Sequence, residues 1–174
     1  SPRAARYDAA RAQTYMATVS DRLQREPGVR NVGFAKVPPV NFGGSRDSVV
    51  IIGYTPRKDE DMEINFNEVA GDYFGALGLQ ILDGQALPAT RSATARSGVT
   101  GGPIPVVVNA AMARRYWQGK RAVGQQFYLG DETGPLAEVV GVAADAKYRS
   151  MREAVLASFY VPLSTQQVPD GRWH

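Results

Sequence analysis

The residue types that usually do chemistry are scarce in this chain. It has one histidine, His174, and no cysteine. Zinc and most transition-metal sites therefore lack their usual ligands, and disulfides and thiolate nucleophiles are excluded. A serine or threonine nucleophile needs a nearby base, and no internal histidine can serve. The GGSRD segment at 43–47 does not fit the nucleophile elbow, and Lys36, Lys58, Lys120 and Lys147 show no suggestive spacing toward a serine. Acidic residues alternate through DEDME (59–63) as in a calcium loop. Its sixth place, however, is Ile64 where the sharp turn needs glycine, and its twelfth is Ala70 where a bidentate glutamate belongs, so a solvated hairpin loop is the better reading. Asp72, Glu138 and Asp145 are the carboxylates available for acid–base work, and nothing in the sequence brings two of them together. Asp145 reads as capping the turn after its strand. GDYFGALG (71–78) is neither a dinucleotide fingerprint nor a phosphate loop; Gly78 ends a helix there and Gly75 permits close packing.

The elements that must position these residues follow from periodicity. Ala12, Met16, Val19 and Leu23 share one face of a helix over 7–26, stopped by Pro27-Gly28. A strand spans 29–37, a glycine-rich loop 40–47, and a strand buried on both faces 48–54. Met62, Ile64 and Phe66 alternate with polar residues, giving a strand with one wet face, hairpin-paired to 48–54. A short helix at 72–77 and a strand at 79–82 follow, then a glycine-rich join at 88–103. Strands at 104–108, 125–129, 137–144 and 158–162 complete the pattern, with a helix at 110–117 that Asn109 caps. A turn joins the strands at 131–134, a short turn or helix falls at 150–154, and the tail from 164 reads as frayed. Tyr73, Phe74, Tyr116 and Trp117 sit on short helices, where burial is the default and partner contact the alternative.

At 174 residues the chain suits one domain or two small lobes, with roughly 70% of the unfolded surface buried on folding. A hydrophobic fraction of 44% and a charged fraction of 21% are those of a globular protein. The net charge is only +3, and its densest basic group, Arg114, Arg115, Lys120 and Arg121, is too short for a nucleic-acid face. The longest apolar runs, 49–54 and 103–113, are too short to cross a bilayer, so the segment is expected to be soluble; Ser1-Pro2-Arg3 reads as a cut site in a longer protein.

Five segments, EPGVRNVGFAKVPP (26–39), NEVAGDYFGALGLQILDGQAL (67–87), VVVNAAMARRYWQGKRAVGQQFYLG (106–130), EVVGVAADAKYRSMREAV (138–155) and FYVPLSTQ (159–166), resemble in order and spacing the MacB-like periplasmic core domain of MacB/FtsX-type ABC transporter permeases. Gln85, where an arginine often stands, and the proline-poor AVLASFYVPL depart from that pattern. The resemblance implies an α+β fold in two lobes, a porter-like lobe from 1–84 with 150–174 and a smaller inserted lobe from 85–149. It implies no catalysis and no cofactor in this domain. ATP hydrolysis would belong to a separate cytoplasmic domain, with membrane helices transmitting movement to an inner-membrane protein's periplasmic face. A periplasmic adaptor or a cell-wall hydrolase would be the partner, through contacts assigned to Phe42, Tyr73 and Trp117. The isolated domain is expected to be a monomer. Two other functions compete: a standalone periplasmic ligand- or peptide-binding module, and a hydrolase working through a carboxylate such as Asp145.

Overall fold

The computed structural model describes residues 9–38, 45–88, 102–146 and 155–163. Helix α1 (Ala9–Gln24) is followed by β1 (Gly33–Ala35), β2 (Ser45–Ile51), β3 (Glu63–Gly71), α2 (Tyr73–Ala76) and β4 (Ile81–Gly84). Then come β5 (Ile104–Asn109), α3 (Ala110–Tyr116), β6 (Gln126–Leu129), β7 (Leu136–Ala143) and β8 (Ser158–Pro162). No helix among the described residues is long and apolar enough to cross a membrane.

Six of the strands close on themselves. β2 pairs antiparallel with β3, and β3 runs parallel to β8 on its other side. β8 pairs antiparallel with β5, β5 parallel with β7, β7 antiparallel with β6, and β6 antiparallel with β2. The ring has no free edge; β1 and β4 extend it as side strands on β3 and β7. This mixed sheet with few helices is the expected α+β class. The two expected lobes, however, share one sheet: β2–β6 joins strands across the 84/85 boundary and β5–β8 joins strands across the 149/150 boundary. The cause is β5, whose residues from Val106 to Asn109 are all buried and need neighbours on both edges and both faces.

Alternation sorts side chains between two cores. Val49, Ile51, Ile64, Phe66, Val106, Val108, Phe127, Leu129, Val139, Phe159 and Val161 point into the ring. Met112, Tyr116 and Trp117 of α3 and its C-terminal end join the same cluster, so the helix plugs the mouth where β5 ends and β8 begins. Outside, Tyr73 and Phe74 of α2 cover Val69, Val107, Ala143 and Tyr160. That cover sits close: a Cβ on Gly33 would lie 2.5 Å from the Tyr73 Cα. Gly78 leaves α2 at φ 65°, as the sequence predicts, and Asp72, expected inside the helix, instead caps it through the Gly75 amide.

Three local expectations change. The 45–47 part of the glycine-rich loop is strand, since it finds the 64–66 stretch of β3 as partner. The 48–54 strand is not buried on both faces: Val49 and Ile51 face the core while Ser48 and Ile52 are exposed. The 29–37 strand shrinks to three residues, with Val37 bridged to the Asn67 side chain instead of a backbone. The turn or helix expected at 150–154, residues 89–101 of the 88–103 join, and the tail from 164 lie outside the described residues.

Candidate functional site

Chemistry-bearing side chains gather around α3. Asn109, 3% exposed, accepts from the Met112 amide at 2.9 Å and from the Ser158 amide at 3.0 Å, while its Nδ2 donates to the Leu156 carbonyl at 2.8 Å. One amide group thus starts α3, ends β5 and anchors β8. Asp145 accepts from the Ala111 amide at 2.8 Å and pairs with Arg114 at 2.7 Å. Its carboxylate therefore caps the helix of another segment; the turn after its own strand, which the sequence reading expected it to cap, runs into residues outside those described.

At the other end of α3, the connection between β2 and β3 folds over the helix. Glu60 accepts from the Tyr54 hydroxyl at 2.8 and 3.0 Å, from the Arg57 amide at 3.0 Å, and from Arg115 at 2.9 Å. Those donors, the Arg57 amide foremost, lower the Glu60 pKa to about 2. Arg115 also donates to the Asp61 carbonyl at 2.8 Å and lies over the Tyr116 ring, 4.9 Å from its centroid. Tyr54 packs edge-on against Tyr116 at 5.1 Å. Burial pushes the Tyr116 hydroxyl up to about 12. The acidic run read as a solvated hairpin loop is thus partly tied down, and among the described residues no group of three His, Asp or Glu side chains could hold a metal ion.

The remaining candidates go to separate local bonds. Asp72 serves α2 and accepts from the Asn31 side chain, and Glu138 accepts from Gln126 at 2.9 Å. Lys36 pairs with buried Glu68 at 2.5 Å. Arg121 pairs with Asp83 at 2.8 Å, so three of the four residues in the densest basic group already have acidic partners. Asp47 shares the inward face of Val49 and Ile51; burial raises its pKa, and its Oδ2 has no hydrogen-bond partner among the described residues. Sequence reasoning passed over Asp47, although its place two residues before Val49 was signal enough. Glu60, Arg115 and the second bond of Asn109 depend on pairings between distant segments and left no such signal.

Of the residues assigned to partner contact, Tyr73 is 3% and Trp117 5% exposed. Tyr73 packs against Phe74 and Tyr160, and Trp117 against Tyr116 and Phe127, so both rings serve the domain interior and offer a partner almost no surface. Phe42 lies outside the described residues. Exposed apolar side chains are spread over the described residues, among them Tyr15 of α1 at 65%, Leu82 of β4 at 52% and Leu156 at 56%.

The fold has solved counterparts. The periplasmic region of MacB from Actinobacillus actinomycetemcomitans superposes with a TM-score of 0.51 at 14% identity, over 86% of this chain and 55% of that one. A domain of a putative permease from Porphyromonas gingivalis gives 0.50 at 14% identity, over 90% and 61%. The extracellular domain of the ABC-type transporter YknZ from Gram-positive bacteria gives 0.48 at 20% identity, over 82% and 59%. The chain thus spans less than two thirds of each of these structures. Comparison with curated protein sequences gives no match. The sequence profile of the MacB-like periplasmic core domain matches residues 3–173, and the chain belongs to that family.

Proposed function

We propose that this chain is the extracytoplasmic domain of a MacB-type ABC transporter permease and that it transmits ATP-driven movement without catalysing a reaction. The observation that supports this most is the family match across residues 3–173. The physical reading agrees with it. A coupling element has to move as a body, and a ring of six strands with no free edge, plugged by α3, resists internal shear better than an open sheet. Residues 25–32, with Pro27 and Gly28 at φ 91°, are a short join between α1 and that ring.

In this reading the domain faces the periplasm or cell exterior, and its partners are the permease's own membrane helices and ATPase. A periplasmic adaptor or hydrolase is the outer partner, and Phe42 is its remaining proposed contact. The isolated domain is a monomer because assembly depends on the membrane helices. The test is the parent protein: fractionated membranes should retain it through alkaline wash, held by apolar segments of about 20 residues. A parent recovered wholly in the soluble secreted fraction would overturn the proposal.

A further inference from the structure

The β2–β3 connection is built unlike the rest of the domain. From Gly53 to Asp61 only Tyr54 and Glu60 are partly buried, and the other residues are exposed. Gly53 has φ 78°, and Asp59, at φ 63°, is the one described non-glycine residue in the left-handed region. At the base of the segment the chain is secured by backbone bonds, Ile52 to Gln126 at 3.4 Å and Val49 to Met62 at 3.1 Å. Arg46 adds bonds to Asp61 and to the Glu63 carbonyl, both within the same hairpin. The polar bonds described from 53–61 to α3 all end on Arg115, through Glu60 and the Asp61 carbonyl. Beneath lies Tyr116, 7% exposed, covered by the Tyr54 ring and the Met62 sulfur, 3.9 Å from its hydroxyl.

We propose that residues 53–61 form a strap that lifts off Tyr116 as a unit while the six-strand ring stays closed, with Arg115 as its fastening. Three features point this way. The segment is nearly all polar and exposed, so lifting it uncovers little apolar surface beyond Tyr54 and Tyr116. Its backbone ties lie at its two ends, where hinges would sit. One side chain from another element, Arg115, fastens it to α3, at Glu60 and Asp61 near its C-terminal end. The inference does not rest on the transport reading.

Amide hydrogen exchange on the 174-residue chain under native conditions tests it. The Arg115→Gln variant should speed exchange of the Tyr54 and Glu60 amides by about tenfold or more, since hydrogen bonds to a charged group are lost. Amides of β5 should stay within about twofold of wild type. The Glu60→Gln variant, which leaves α3 untouched, should give the same pattern. In Arg115→Gln, losing the guanidinium charge alone would raise the Tyr116 hydroxyl further, so its titration below about 12, read by tyrosine ring-carbon NMR, would report water reaching it. Unchanged strap amides would overturn the proposal, and so would equal acceleration of β5, which would make the strap part of the global unit.

Discussion

Replacing Asn109 by alanine should be among the most damaging single changes in this domain. The substitution removes the acceptor for the Met112 amide, an N-cap worth about 1 kcal/mol. It also strands the Ser158 amide, in a residue 6% exposed, at about 1–3 kcal/mol for an unsatisfied buried donor. The Leu156 carbonyl keeps the Ser158 hydroxyl as a donor at 3.2 Å, so that loss is small. The total is about 2–4 kcal/mol, which for a chain of this size lowers Tm by roughly 5–15 °C. Urea unfolding followed by tryptophan fluorescence measures it, with amide NMR shifts at Met112 and Ser158 as the local check. A loss below about 1 kcal/mol would refute the reasoning, because it would mean that α3 and β8 do not depend on a shared anchor.

Four further outcomes follow from the same geometry. Asp47 has a folded pKa above its ordinary value, so its contribution is full below the ordinary carboxylate pKa and is lost as pH rises through the raised one; Asp47→Asn should therefore gain stability at pH 7 relative to pH 4, by at most about 1 kcal/mol after solvent screening, in paired urea titrations. Glu60 behaves oppositely: its stabilisation is present above the unfolded value and fades as pH falls toward about 2, so Glu60→Gln should flatten the acid limb of a Tm-versus-pH curve between about 5 and 2. Gly33→Ala drives a Cβ to 2.5 Å from the Tyr73 backbone and should cost about 2 kcal/mol or more in urea unfolding, whereas Gly28→Ala meets nothing within 4 Å and should cost about 1 kcal/mol for its positive φ. Sedimentation of the isolated domain at micromolar concentration should show a monomer, and a tight dimer would contradict the assembly reading.

Local structure was largely legible in the sequence because its causes are local. The Gly78 terminator and the Asn109 cap each act within a few residues of their helix. Alternation likewise put Ile64 and Phe66 on one face of β3. Ring closure was not legible. β8 reaches β3 and β5 only through tertiary folding, and a periodicity of two sorts side chains between two faces but does not say which strand or layer covers each: Asn67, expected on a wet face, is 1% exposed. The same gap explains the division into lobes, which placed hydrogen-bonded strands β5 and β8 in different bodies. It also explains the aromatic contacts. Tyr73 and Trp117 stood on short helices whose outward and inward faces cannot be told apart until the sheet beneath them is known. The bond of Asp145 to the Ala111 amide was missed for a related reason: it crosses the β5–β7 pair.

The central claim is that this domain passes on movement produced elsewhere in its parent protein. The most direct measurement inserts two glycines after Gly28, between α1 and the strand ring, in the full-length permease in membrane vesicles, and follows ATP hydrolysis and substrate export together. Coupling through this domain predicts hydrolysis near the wild-type rate with export reduced by about tenfold. Export that continues unchanged while the domain remains folded would contradict it.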